Sequence, residues 1–171
     1  MVTSRRLVAV LLTACFGLSG CSGSGSALKD DGALSEYGFP DVHVGDIVWF
    51  ALPTFDNGTD QPVQLLTVRL ADPPSSVSVL GYRGQSARAR GGVQLDFRAS
   101  GAPRENPMLL PDVPITSMVV PPHDRSDGYV MVELQLLKPV RVDLRKTDVT
   151  YRWQGQEYEQ TLSMDLVIEG S

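Results

Sequence analysis

The sequence predicts an all-β protein, an antiparallel sandwich of about eight strands that follows a signal peptide and a flexible tether. Three observations carry this expectation. Apolar residues alternate with polar ones at period two in segment after segment, as in Val130-Met-Val-Glu-Leu-Gln-Leu136. Clusters of Pro, Gly, Asn and Asp separate those segments at short intervals. Helical periodicity is scarce beyond the first twenty residues.

The chain opens with Arg5 and Arg6, then an apolar run from Leu7 to Leu18 broken by Thr13 and Gly17, then Ser19-Gly20-Cys21. The run is too short to cross a hydrocarbon core as a helix, which takes about 20 residues. The charged start, the apolar middle and the small residues form a secretory signal. Leu18-Ser19-Gly20-Cys21 resembles the lipobox of bacterial lipoproteins position for position. The resemblance implies removal of residues 1–20 and a covalent diacylglycerol on Cys21, with membrane attachment on the extracytoplasmic face. The other cysteine, Cys15, would leave with the signal, so the mature domain would hold no free thiol and no disulfide. No cofactor beyond the covalent diacylglycerol is expected. Residues 21–39 begin with Gly and Ser and continue with charge and no apolar period. They read as a flexible linker spanning about 20–25 Å. The remaining residues, 40–171, make one domain.

Within that domain the first expected strand is Asp46–Leu52, with Trp49 or Phe50 facing the core. Val63–Leu70 follows a turn at 56–60, and Val77–Tyr82, Val93–Phe97 and Ile115–Val120 are shorter candidates. In Tyr129–Leu137, Val130, Val132, Leu134 and Leu136 take one face and Met131, Glu133 and Gln135 the other. Val140, Val142 and Leu144 alternate with Arg141, Asp143 and Arg145. Val149–Trp153 and Glu157–Glu169 pair as a hairpin about Gln154-Gly155, with Leu162, Met164, Leu166 and Ile168 on its inner side. Phe55-Asp-Asn-Gly-Thr-Asp-Gln-Pro-Val-Gln-Leu65 resembles the strand–Asn–turn–Pro-Val junction of bacterial immunoglobulin-like and related extracytoplasmic sandwich domains, which implies a fold and no activity. Asn57-Gly58 itself reads as a tight turn in which both residues tolerate positive φ, in preference to a glycosylation acceptor.

Loss of Arg5 and Arg6 with the signal leaves 13 basic against 20 acidic residues, net −7, a sign that disfavours nucleic acid as a partner. Twelve arginines against three lysines, with two asparagines, fit a high-GC genome such as an actinobacterial one.

No catalytic constellation is evident. His43 and His123 lie in loop-like surroundings without a nucleophile partner. Gly84-Gln-Ser-Ala-Arg88 lacks the second glycine of a nucleophile elbow and is not expected between a strand and a helix. The chain is therefore expected not to be an enzyme, an envelope enzyme being the last alternative. Nor is a metal expected. The alternative rests on Met108, Met118, His123 and Met131, soft donors within one stretch that suit copper(I). Small periplasmic copper chaperones with a cupredoxin-like sandwich resemble this strand order, but their paired His-x-Met ends are absent, and Tyr129-Val130-Met131 stands in that place. The turn at 123–128 leads into Tyr129, a candidate tyrosine corner.

One charge feature stands out. Arg83, Arg88, Arg90, Arg98 and Arg104 crowd a glycine-rich segment of an otherwise acidic domain. Arg83, Arg88 and Arg90 are the expected interaction surface, toward anionic head groups or an acidic partner. The sequence therefore predicts a lipid-anchored binding or accessory module serving an unidentified envelope protein or ligand.

Overall fold

The computed structural model describes residues 23–24, 26–30, 37–93, 96–98 and 111–171. Their strands are β1 (Gly23–Ser24), β2 (Tyr37–Val42), β3 (Ile47–Ala51), β4 (Val63–Leu70), β5 (Val77–Ser86), β6 (Asp96–Arg98), β7 (Val119–Val120), β8 (Gly128–Leu136), β9 (Val142–Trp153) and β10 (Gln156–Gly170). One short helix, α1 (Ala87–Arg90), follows β5, and a 3-10 turn at Ile115–Ser117 precedes β7. The strands form two sheets. The larger runs β1-β10-β9-β4-β7 with β2 also on β10, and the smaller runs β5-β8-β3-β6. The protein is an all-β sandwich, as the alternation predicts.

Burial follows the period-two pattern closely on β8. Val130, Val132, Leu134 and Leu136 lie in the core between the sheets. Phe50 joins them from β3, while its neighbour Trp49 projects to the opposite face. There Trp49, Ala51, Tyr129 and Met131 form a second buried cluster on the outer side of the smaller sheet, with Ala87 and Val93 against it. Both aromatics expected to compete for the core are thus buried, on opposite faces of one strand. Tyr129 belongs to this outer cluster. The β9–β10 hairpin turns at Gln154 and Gly155, both with positive φ, in keeping with a tight two-residue connection.

The two segments expected around 140–145 and 149–153 are one strand, β9. Its inward phase changes at the exposed pair Arg145-Lys146, opposite a register shift between Ser163 and Leu166 of β10. A similar shift between Leu65 and Thr67 moves the inward phase of β4 from Val63 and Leu65 to Val68 and Leu70. Val140, expected inside, is exposed.

The linker expected over 21–39 is corrected where it is described. Ala27 and Leu28 are 1% and 2% exposed. The Ala27 N–H donates to the Tyr151 hydroxyl at 3.1 Å, which in turn donates to Gln160 Oε1 at 3.1 Å, and Gln160 Nε2 donates to the Leu28 carbonyl at 2.7 Å. Burial raises the pKa of that tyrosine, keeping it a neutral donor. Asp30 accepts from the Ser163 N–H and hydroxyl, each at 3.0 Å. Farther on, β2 pairs with β10, so that strands β1 and β2 both run parallel to it along the sheet edge. Parallel edge pairing departs from the purely antiparallel expectation. Gly38 is required there, because a Cβ would collide with the Val167 carbonyl, and Pro40 is tolerated because an edge strand need not donate at every position.

Candidate functional site

At one end of the sandwich four chain segments are stitched together by backbone hydrogen bonds. The 55–61 loop bonds the 121–127 loop through Asn57 N–H to Asp124 O (3.0 Å) and Ser126 N–H to Phe55 O (2.9 Å). The N-terminal segment joins through Gly58 N–H to Ala27 O (2.9 Å) and Lys29 N–H to Asp56 O (2.8 Å). The start of α1 joins through Ala87 N–H to Asp127 O (2.8 Å).

Asn57 is the hub. It is fully buried, and neither it nor Gly58 has a positive φ, so the expected tight turn is replaced by an asparagine bracket. Its Nδ2 donates to the carbonyls of Gln61 (2.7 Å) and Val120 (3.2 Å). Its Oδ1 accepts from the Thr59 N–H and hydroxyl, each at 2.8 Å. A side chain held this way has no room for a glycan. Around it, Arg125 makes a bidentate pair with Asp56 (3.0 and 2.9 Å), and His123 Nε2 lies 2.5 Å from Asp60 Oδ1.

The three arginines expected to act together do different things. Arg83, on β5, places its guanidinium over the Trp49 ring at 5.6 Å and pairs with Asp112 at 3.3 Å. The same guanidinium pulls down the Glu133 carboxyl, whose pKa is nevertheless raised because burial outweighs it. Arg90 Nε donates to Oε1 of Gln85, a side chain only 1% exposed, at 3.3 Å. Arg88 is the exposed member. Arg98 lies on β6, and Arg104 lies outside the described residues.

Ser86 corrects another expectation, because it does sit between a strand and a helix. The four-residue α1 is too short to give a helical period in sequence. The Ser86 hydroxyl caps it, accepting from the Ala89 N–H at 3.1 Å and donating to Asp127 Oδ2 at 2.7 Å. Asp127 Oδ1 accepts from the Arg88 N–H at 2.9 Å. Those bonds, the serine's first, hold the Asp127 carboxyl below its ordinary pKa. Gly91, left-handed at φ 76°, closes the helix.

The soft donors are dispersed. Met118 is buried between the sheets, beneath Gly84 and Gly128, where a Cβ would strike it. Met131 is on the opposite face of the smaller sheet, in the Trp49 cluster. His123 is on the 121–127 loop against Asp60, and Met108 lies outside the described residues. Alternate residues of β8 face opposite ways, which keeps Met131 from the Met118 side. Among the described residues no group of three or more His, Cys, Asp or Glu side chains could hold a metal ion. Cys21 and the expected signal, residues 1–20, also lie outside the described residues. Among the described residues no helix is long and apolar enough to cross a membrane.

No known family matches this chain, and no curated protein does. Among solved structures it is similar to the VesB protease of Vibrio cholerae, at 11% identity and a TM-score of 0.41. The match covers 82% of this chain and 31% of the protease chain. A protease neighbour runs against the expectation that the chain is not an enzyme, and that exclusion is withdrawn. A likeness this distant transfers no activity, substrate or catalytic residue to the present chain.

Proposed function

We propose that this chain is a lipid-anchored extracytoplasmic module that presents a β-sandwich to a protein or ligand of the cell envelope. The observation that carries it is Leu18-Ser19-Gly20-Cys21 in its full signal context, placed only six positions before Ala27, which is buried. Cys21 carries diacylglycerol at the mature N-terminus, and two acyl chains give stable attachment where one gives marginal binding. Loops fixed by hydrogen bonds, as at the end described above, make the sandwich a preformed module, which supports a binding or accessory role.

Substituting Cys21→Ala tests the anchor. Metabolic labelling with a fatty-acid analogue should be lost, processing should stop, and the signal-bearing precursor should accumulate unlipidated. Unchanged labelling and unchanged mass in that variant would overturn the reading.

A further inference from the structure

We infer that the loop end built around Asn57 is the face held against the bilayer, with the phospholipid head-group layer as its partner. The inference rests on lipidation of Cys21 and adds an orientation to it.

The argument is one of chain length and topology. Gly23 pairs with Tyr158, close to the Gln154-Gly155 turn of the β9–β10 hairpin. Two residues reach at most about 7 Å in any conformation, so the Cys21 backbone lies within that distance of Gly23. Measured instead to buried Ala27, six residues reach at most about 20 Å. Both anchoring points belong to the same end of the sandwich. Hydrogen bonds join Ala27 and Lys29 to the 55–61 loop, that loop to 121–127, and 121–127 to the start of α1, tying this end into one unit. A lipid attached so near a rigid end leaves the domain little freedom to turn over.

The aromatic pair at this end suits the membrane–water interface. Half-buried Trp153 and Tyr158 sit at the hairpin with ring centroids 5.6 Å apart, among exposed charges of both signs, Lys29 and Arg88 beside Asp127, Glu157 and Glu159. Tryptophan and tyrosine favour that interface. At the other end, loops 43–46, 71–76 and 137–141, with exposed Val44, Leu137 and Val140, would face away from the lipid. The ten-residue strand β5 spans the two ends, a separation of about 30 Å.

The test uses the lipidated full-length product. One variant, Gln156→Cys, places a thiol at the hairpin, and another, Ser75→Cys, places one at the far end; both positions are exposed. Each is labelled with a maleimide donor dye and reconstituted in phosphatidylcholine–phosphatidylglycerol vesicles containing an acceptor-labelled phosphatidylethanolamine. Energy transfer should be several-fold stronger from position 156 than from position 75. Equal transfer from both, or stronger transfer from 75, in protein that floats with the vesicles would overturn the orientation and leave the anchor standing. Protein that fails to float, and takes up dye at Cys21 as well, would overturn the lipidation and with it the orientation.

Discussion

Replacing Asn57 with alanine removes four hydrogen bonds from one buried side chain, and their surroundings set the cost. The Val120 carbonyl is the partner farthest from water, since its bond to Nδ2 is wholly buried. Leaving it without that donor costs about 1–3 kcal/mol. The Gln61 carbonyl and the Thr59 N–H and hydroxyl are nearer the surface and can turn to water, so each lost bond there costs about 0.5 kcal/mol. The sum is about 2.5–4.5 kcal/mol, a large share of the 5–15 kcal/mol typical of a whole domain. For a domain of this size the melting temperature should fall by about 8–15 °C. Urea unfolding of the domain produced without its first twenty-one residues would measure it, as a lower midpoint at unchanged slope. Asn57→Asp sharpens the test. Near neutral pH it sets a carboxylate against two carbonyls in a dry site, so it should be worse than alanine. Acid should partly restore it, because the raised folded pKa means stability is lost as pH rises and regained as the carboxyl takes up the proton that lets it donate. An alanine variant within about 0.5 kcal/mol of the parent would refute the bracket.

Four further outcomes follow from the same packing. Gly84→Ala drives a methyl into the Val113 carbonyl and the Met118 methyl, and should destabilise by about 1–3 kcal/mol in the same urea assay. Arg83→Ala should cost about 1 kcal/mol or more and shift Trp49 fluorescence, whereas Arg88→Ala should stay within about 0.5 kcal/mol of the parent. The Asp127 carboxyl, lowered from its ordinary 3.8, supports α1 above that value and should release it as pH falls through the lower folded value; an NMR titration of the Arg88 amide should follow this, and Asp127→Asn should abolish it. Leu28→Ala should cost about 2–5 kcal/mol, a loss that a freely moving tether would not show.

What the sequence discloses depends on how each segment gains its stability. β8 is legible because burial alone decides it: Val130, Val132, Leu134 and Leu136 all face the core between the sheets, and the residues between them face the other way. β9 is legible in halves, since the inward phase changes at Arg145-Lys146 and a period-two reading stops there. Edge strand β2, with Gly38, Pro40 and a positive φ at Asp41, is built from residues that strands usually avoid, and backbone contacts with β10 select it. The arginine segment was visible as charge but not as geometry. Whether a guanidinium lies over Trp49, against Gln85 or in water depends on the partner across the fold, which charge counting cannot supply. Asn57 was visible as a turn signal, and its burial depends on Val120, far along the chain.

The same distinction explains the N-terminal segment and gives it mechanical meaning. Gly23 to Ser26 is solvated by composition, yet a sheet edge asks only for backbone donors and acceptors, which glycine and serine supply as well as valine does. One apolar pair, Ala27-Leu28, then suffices to dock the segment, because Tyr151 and Gln160 satisfy its polar groups while Leu28 fills the core. The length of a tether is therefore set by the first residue that docks, and a glycine-serine composition does not move that point. A flexible linker through residue 39 would let the domain sample all orientations above a membrane. A chain docked by residue 27 and lipidated at Cys21 would not, since the covalent reach to Cys21 is shorter than the separation between the two ends of the sandwich of about 30 Å.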